Sequence, residues 1–302
     1  MFTRVVVPLL FGLLLMANSM AAPLRVAVLA DEGPIYRHFV QALSAQIDPK
    51  QFALTMVPPA AAIFPVNTEL VLAVGAQSTA IALNSRFKVL SVLISRMAYE
   101  QLLRELPAGS QQGMYAAVYL DQPYERQLSL VAAALPKLHR LGVLYSRPPV
   151  EMDRLRQVAR TKNFNLWSRS TLAGDELHTD LDDTLKQSEV LLALPDAAVY
   201  NSYTIRNILL ETYRAHIPVI GFSASLVRAG ALMAVFSSPE QVATQTVAVL
   251  NQFVVSGRLP RSQYPQDFEV LLNKEVARAL NLALPEAANL RAAIVRGGMT
   301  DD

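Results

Sequence analysis

Residues 190–222 of the chain, VLLALPDAAVYNSYTIRNILLETYRAHIPVIGF, decide the fold class. The stretch opens with an unbroken apolar run, continues through a segment with helical periodicity, and ends in a second apolar run at Pro218–Phe222. Short apolar runs flanked by turn residues are typical of strands buried on both faces, and such strands alternate with helices in parallel sheets. The stretch therefore predicts a β-α-β unit.

The same alternation covers the rest of the chain in two series. The first series begins with a strand at Leu24–Ala30 and its last strand is Met114–Leu120. The second begins with a helix near Pro123–Leu135 and its last strand is Ala231–Phe236. Two such series predict an α/β protein of two doubly wound, Rossmann-like lobes with parallel sheets. A late helix and a late strand follow residue 238, so we expect them to pack back onto the two sheets.

Composition excludes several classes of protein. The 302 residues are 52% apolar and 17% charged, which is too apolar for an intrinsically disordered chain. The chain has no cysteine, so disulfides, thiol nucleophiles, cysteine-based metal sites and the lipid anchor of a lipoprotein are excluded. A net charge of +2 without a basic cluster gives no reason to expect a nucleic-acid partner.

The first 21 residues have the layout of a secretory signal peptide. A basic start at Met1–Arg4 precedes an apolar run at Val5–Met16, and Ser19 and Ala21 place small residues before a cleavage point. The alternative is a membrane anchor, but the run is shorter than the roughly 20 residues that span a bilayer. We therefore expect residues 1–21 to be removed and the protein to work in the periplasm without a lipid anchor.

A distributed set of turns and strand ends carries a resemblance to a known family. The residues are Tyr119–Leu128, Arg140–Tyr145, Leu194-Pro195-Asp196, Ile217–Ser223 and Val227–Leu232. Over about residues 24–255 the chain resembles the ABC-transporter substrate-binding family that includes the tryptophan/tyrosine-binding proteins. That resemblance implies the type I periplasmic binding-protein architecture, in which three hinge crossings join two lobes that clamp a ligand.

The resemblance also implies boundaries and partners. It places residues 22–119 and 238–264 in a first lobe, and residues 120–237 and 265–302 in a second. It implies a solute-binding protein that carries a small polar ligand, such as an amino acid or a related carboxylate, to the permease of an ABC importer. We expect a monomer that needs no cofactor and no metal and catalyses no reaction.

Ligands of open α/β sheets bind beyond the carboxyl ends of the strands, so the loops at those ends supply the candidate ligand-binding residues. The candidates are, from the first lobe, Glu32, Tyr36, Gln77, Ser78, Thr79, Ser95 and Arg96, and from the second lobe, Ser146, Arg147, Asp196, Tyr200, Asn201, Phe222 and Ser223.

Each candidate has a chemical role and a structural alternative. The helix that opens after Gly75 offers backbone N–H groups to a carboxylate, and Ser78 or Thr79 adds a hydroxyl; the alternative is an ordinary helix cap. Arg96 suits a bidentate pair with a carboxylate, or is a solvated surface arginine. Asp196 suits a ligand ammonium or hydroxyl, or caps the next helix. The aromatic candidates supply apolar walls or pack in the core.

The chain departs from the family pattern at two of these loops. Many members carry Thr-Asp-Pro where this chain has Ser95-Arg96-Met97, and many carry Asn where it has Ser146-Arg147-Pro148-Pro149. An arginine in place of an acidic residue can reverse the preferred charge of the ligand. The identity of the ligand therefore stays open.

The sequence lacks the residue patterns that known catalytic sites require. Residues 221–225, Gly-Phe-Ser-Ala-Ser, resemble a nucleophile elbow, but no histidine follows Ser223, as an α/β-hydrolase triad requires. The histidines at 38, 139, 178 and 216 have no metal-ligand spacing, and no glycine-rich phosphate loop occurs. An exported hydrolase is therefore disfavoured. The alternative that stays open is a periplasmic sensory receptor subunit that reports ligand occupancy to a membrane sensor protein.

Overall fold

A computed structural model of the protein describes residues 22–60, 63–107, 114–171 and 175–298, which form two α/β lobes. The predicted signal peptide, residues 1–21, lies outside the described residues. Each lobe is built on one sheet whose strands are flanked by helices, as the alternating sequence pattern predicts.

The first lobe holds a five-stranded sheet in which all strands are parallel, in the order β2-β1-β3-β4-β5. Its strands and their helices are β1 (Leu24–Ala30), α1 (Pro34–Gln46), β2 (Phe52–Met56), β3 (Leu70–Val74), α2 (Ala76–Leu83), β4 (Lys88–Ile94), α3 (Arg96–Glu105) and β5 (Tyr115–Tyr119).

The second lobe holds a six-stranded sheet in the order β11-β10-β9-β8-β6-β7. The remaining elements of the chain are α4 (Tyr124–Ala134), β6 (Arg140–Tyr145), α5 (Met152–Thr161), β7 (Asn165–Ser170), α6 (Asp175–Gln187), β8 (Val190–Ala193), α7 (Ile205–Arg214), β9 (Val219–Gly221), α8 (Ala224–Ala229), β10 (Met233–Phe236), α9 (Pro239–Ser256), β11 (Glu269–Leu272), α10 (Lys274–Ala279) and α11 (Ala287–Gly298).

The continuous apolar runs form the buried centre of each sheet. Every residue of β3 is fully buried, and so is every residue of β8, because helices cover both faces of these central strands. The late helix and the late strand return to the existing lobes as expected: α9 packs on α1 of the first lobe, and β11 pairs with β10 of the second.

Two features differ from the sequence expectations. Strand β11 runs antiparallel to β10, so the second sheet is not wholly parallel. Its first residue, Glu269, pairs with the last residue of β10, Phe236, because the chain enters β11 from the hinge at the carboxyl ends of the other strands. The sequence pattern also does not predict helices α3, α8 and α11. Helix α3 is short and amphipathic, and Tyr99 is its buried residue.

The chain passes between the sheets three times, and hydrogen bonds tie the three crossings together. Gln122 follows β5, and its Nε2 donates to Ser237 Oγ, which follows β10, at 2.9 Å. Ser237 Oγ donates in turn to the backbone oxygen of Asp267, which precedes β11, at 2.5 Å. Before that third crossing Gln263 pairs with Val118 at the edge of the first sheet. Lobe boundaries at residues 119/120, 237/238 and 264/265 stay a prediction.

Within the described residues, no helix has both the length and the hydrophobicity required to cross a membrane.

The close packing of Gly142 in β6 generates a stability prediction. A Cβ at this position would lie 2.2 Å from Ser188 Oγ, whose hydroxyl is buried and donates to the Thr184 backbone oxygen. We expect Gly142→Ala to lower the free energy of unfolding by about 1–3 kcal/mol, measured by chemical denaturation. Gly297→Ala in α11 is the control, because a Cβ at this position would lie at an ordinary contact distance of 3.5 Å from Ser129 Oγ. Alanine also has a higher helix propensity than glycine. Equal losses in both variants would contradict this account.

Candidate ligand-binding site between the lobes

A cavity of about 40 Å³ lies between the lobes, inside a partly open region of about 500 Å³ that includes solvent. The first lobe contributes Arg96 and Met97, and the second contributes side chains that follow β6 and β8. Its polar and aromatic lining residues are Arg96, Asp121, Gln122, Tyr124, Gln127, Tyr145, Glu151, Asp196 and Tyr264. The cavity therefore lies at the carboxyl ends of both sheets, where open α/β sheets bind ligands.

The start of α3 places Arg96 in this cavity. Leu93 has a φ of 52°, and the pairing of β4 with β5 shifts register there. Such a bulge bends the strand and redirects the residues that follow it. Ser95 then caps α3, because its Oγ accepts from the backbone N–H of Ala98 at 3.2 Å. Ser95 thus acts as the helix cap, while Arg96 lines the cavity.

The guanidinium of Arg96 is already bound by two carboxylates. Its Nε donates to Glu100 at 2.6 Å, and its Nη1 pairs with Glu151 at 2.5 Å. The Tyr264 hydroxyl accepts from Nη1 and donates to the other oxygen of Glu151. Burial lowers the pKa of Arg96, but the bonds to Glu100 and Tyr264 and the charge of Glu151 outweigh burial and raise it above its ordinary value. Because Glu151 precedes α5, this ion pair joins the two lobes.

Asp121 holds the backbone of Arg96 from the first crossing. Its Oδ2 accepts the Arg96 backbone N–H at 2.5 Å, so it does not cap α4, the role that its position before Pro123 suggests. Burial raises the pKa of this carboxyl from 3.8 to about 7, against the lowering effect of backbone N–H bonds and of the Arg96 charge. A carboxyl group with this pKa changes its charge near neutral pH.

Asp196 plays the equivalent part in the second lobe. It follows β8, is 2% exposed, and its Oδ2 accepts the Ser146 backbone N–H at 2.6 Å. Its other oxygen accepts the backbone N–H of Ala198 at 3.0 Å. The carboxylate thus ties the loop after β8 to the loop after β6 while it lines the cavity. It does not cap α7, whose first residue is Ile205.

The predicted anion site at the start of α2 is occupied by the chain itself. The two carboxylate oxygens of Asp31 accept the backbone N–H groups of Gln77 and Ser78 at 3.0 and 2.7 Å. Ser78 and Thr79 are fully buried, and Thr79 donates to the Gly75 backbone oxygen within the helix. Their predicted role as ligand contacts needs correction, because an internal carboxylate already satisfies these amides.

Several other candidates have structural roles. Tyr200 and Phe222 pack edge to face in the core of the second lobe, with ring centroids 6.3 Å apart. Asn201 Oδ1 accepts the backbone N–H of Tyr203, so it caps the turn before α7. Ser223 caps α8 by accepting the backbone N–H of Leu226.

The remaining candidates lie outside the cavity lining. Glu32, Gln77 and Arg147 are exposed. Ser146 donates its backbone N–H to the Asp196 carboxylate. Tyr36 is half-buried, and burial and the charge of Asp31 raise the pKa of its hydroxyl. Arg96 and Asp196 are thus the predicted residues that the described structure brings together around the cavity.

Most of the residues that surround the ligand space are not predicted by the sequence pattern. Tyr264 stands at the predicted third crossing and Asp121 at the first, and in this fold the crossings form the floor of the cleft. The position of a residue at a predicted crossing is therefore a sequence signal that the residue lines the cavity. Tyr124, Gln127 and Glu151 give no local signal, because they lie at ordinary positions in or beside helices.

Comparison with known proteins agrees with this geometry. The profile of the ABC transporter substrate binding protein family matches residues 66–296, about three quarters of the chain. None of the proteins of curated function matches the chain.

Three solved structures share the fold. An L-Trp complex of an ABC domain from Streptococcus pneumoniae is 14% identical with a TM-score of 0.64, over 88% of this chain and 97% of its own. A conserved domain protein from Vibrio cholerae is 17% identical with a TM-score of 0.64, and the match covers 90% of this chain and 98% of the other. A ligand-free, open substrate-binding protein with adhesive properties from Clostridium difficile is 16% identical with a TM-score of 0.63, over 88% and 97%.

The bond between Asp31 and α2 yields a second prediction. Asp31→Ala removes the acceptor for two backbone N–H groups, and we expect the free energy of unfolding to fall by about 1–2 kcal/mol. Asp48→Ala is the matched control, because Asp48 accepts one exposed backbone N–H from Lys50 and its loss should cost under about 0.5 kcal/mol. Denaturant titration of both variants measures the difference. A loss no larger in Asp31→Ala than in Asp48→Ala would contradict the capping role.

The raised pKa of Asp121 yields a third prediction. Its pKa is 3.8 when exposed and about 7 in the folded protein, so the folded protein holds a proton there that the unfolded chain has released. The contribution of this group to stability is greatest below its pKa in the unfolded chain. It is lost as the pH rises through its pKa in the folded protein. From about pH 5 to about pH 8, wild-type stability should therefore fall relative to Asp121→Asn. Parallel pH profiles of the two proteins would contradict the assignment.

Proposed function

Because the chain belongs to the ABC transporter substrate-binding protein family, we propose that it binds a small molecule between its lobes and delivers it to an ABC permease. The observation that carries the proposal is the cavity whose lining comes from both lobes and from the crossings. A ligand there contacts Arg96 and Asp196 at the same time. We propose that the protein works in the periplasm after removal of residues 1–21, and that it changes no bond in the ligand.

The hinge suits this function mechanically. Three crossings held side by side by Gln122, Ser237 and Asp267 form a narrow connection about which two rigid lobes can rotate. The closed arrangement contacts the ligand from both sides, so ligand binding stabilises that arrangement over the open one. The ion pair between Arg96 and Glu151 is a contact across the cleft in the described structure. The permease would then recognise the closed pair of lobes.

A thermal-shift screen tests this proposal. The panel contains amino acids, sugars, nucleosides, organic acids and amines, and a ligand at about 100 times its Kd should stabilise the fold by about 2.7 kcal/mol. Val150→Trp places a large ring at the cavity, and we expect it to weaken binding at least tenfold. Val254→Trp on α9 is the matched control, because these valines are 51% and 47% exposed and Val254 lies away from the cavity.

The outcomes separate cleanly. Stabilisation that Val150→Trp abolishes and Val254→Trp leaves intact supports binding between the lobes. Absence of stabilisation by every class in the panel, or stabilisation that both variants keep, would contradict the proposed function.

A further inference from the structure

We infer that the ligand of the cavity carries a cationic nitrogen and no carboxylate, so that this protein binds amines rather than anions or zwitterions. The inference rests on the proposed function, because it specifies the chemical class of the ligand that the lobes enclose. Four separate features of the described residues support it.

The first feature is that backbone N–H groups at the carboxyl ends of the strands, inside the cavity and beside it, are occupied by the chain's own carboxylates. Asp31 binds the free amides of α2, and Asp121 binds the first amide of α3. Asp196 binds the amides that follow β6 and β8. A ligand carboxylate would have to displace one of these groups, and each displaced carboxylate would be left without its donors.

The second feature is the occupation of Arg96. Glu100 and Glu151 both contact the guanidinium, and Tyr264 adds a third acceptor. Two carboxylates on one guanidinium give the cluster a net negative charge. The cluster therefore offers no free positive charge to a ligand. The arginine that the sequence suggested as a carboxylate receptor thus serves as an internal counter-ion.

The third feature is the charge of the cavity lining. One cation, Arg96, faces three carboxyl groups, those of Asp121, Glu151 and Asp196. Each carboxylate has capacity for about four hydrogen bonds, so those of Asp121 and Asp196 can still accept from a ligand after binding backbone amides. A cation that enters the partly desolvated space relieves the repulsion among these groups, whereas an anion increases it.

The fourth feature is an acceptor with no partner. Gln127 lines the cavity and is 4% exposed, and its Nε2 donates to the Gln122 backbone oxygen at 2.6 Å. Its Oε1 is buried and has no hydrogen-bond partner among the described residues. A buried oxygen in that state needs a donor, which a protonated amine supplies and a carboxylate does not.

Aromatic rings complete the site. Tyr124, Tyr145 and Tyr264 line the cavity, and ring faces attract an ammonium or guanidinium group within about 6 Å. Tyr264 already shows this preference, because the Arg96 guanidinium carbon lies 5.7 Å from the centre of its ring. Carboxylates, tyrosine rings and an amide oxygen without a donor together form a receptor for hydrogen-bond donors.

Matched probes that differ in charge test the inference. The pairs are 2-phenylethylamine with 3-phenylpropionate, and 1,4-diaminobutane with succinate; choline and phenylalanine add a quaternary cation and a zwitterion. Calorimetric titration at about pH 8 keeps Asp121 ionised, since its pKa is about 7. We expect at least one amine to bind at least tenfold more tightly than its carboxylate counterpart and than phenylalanine.

A variant locates the effect. Glu151→Gln keeps the size of the side chain, removes a carboxylate from the cavity and weakens the hold on Arg96, so amine affinity should fall about tenfold. Glu211→Gln removes the same charge on α7, where Glu211 pairs with Arg214 outside the cavity. We expect that variant to bind the amine within twofold of the wild type.

Failure of the inference is distinguishable from failure of the proposed function. Tighter binding by a carboxylate, a zwitterion or a neutral ligand at the cavity overturns the inference and leaves the proposed function standing, as does equal weakening by Glu151→Gln and Glu211→Gln. If no amine binds while another class of the screening panel does, the inference is likewise overturned and the proposed function stands. No binding by any class overturns the proposed function itself.

Discussion

Backbone N–H groups at the carboxyl ends of the parallel strands need acceptors, and this chain supplies them from its own aspartates. Asp31, Asp121 and Asp196 each follow a strand and bind amides that open a neighbouring loop or helix. An unpaired buried amide costs about 1–3 kcal/mol, so these carboxylates fix the loops around the cleft. Two of these aspartates, Asp121 and Asp196, also line the cavity, so the groups that fix the loops are the groups that a ligand would meet.

The hinge and the cleft share residues, so under the proposed function ligand binding would be coupled to lobe movement. Gln122 bonds to the second crossing and lines the cavity, and Tyr264 lies at the third crossing and bonds to both Arg96 and Glu151. A ligand that contacts these groups therefore acts on the connection between the lobes as well as on their faces. Membership of the substrate-binding family and the shared fold of three solved structures agree with such a clamp.

The sequence predicted the architecture more fully than the site, for a physical reason. Buried strands such as β3 are continuous apolar runs, so burial on both faces is visible in the residues themselves. The function of a polar residue depends on a partner distant in sequence: Arg96 meets Glu151 and Ser78 meets Asp31 only after folding. Local spacing therefore assigned a free guanidinium and a free helix end, and both are occupied. The crossings were predicted correctly as a feature, but their role in lining the cavity was not.

Ligand-driven closure of the lobes is the central claim, and a distance measurement between the lobes tests it most directly. The chain has no cysteine, so Arg104→Cys on α3 and Arg160→Cys on α5 introduce a unique pair of exposed attachment sites for spin labels. With a ligand found in the screen, the label distances should shift to a narrower and shorter distribution. In Val150→Trp the same ligand should leave the distribution unchanged. A ligand that binds the unaltered cavity tightly without changing the distances would contradict the account.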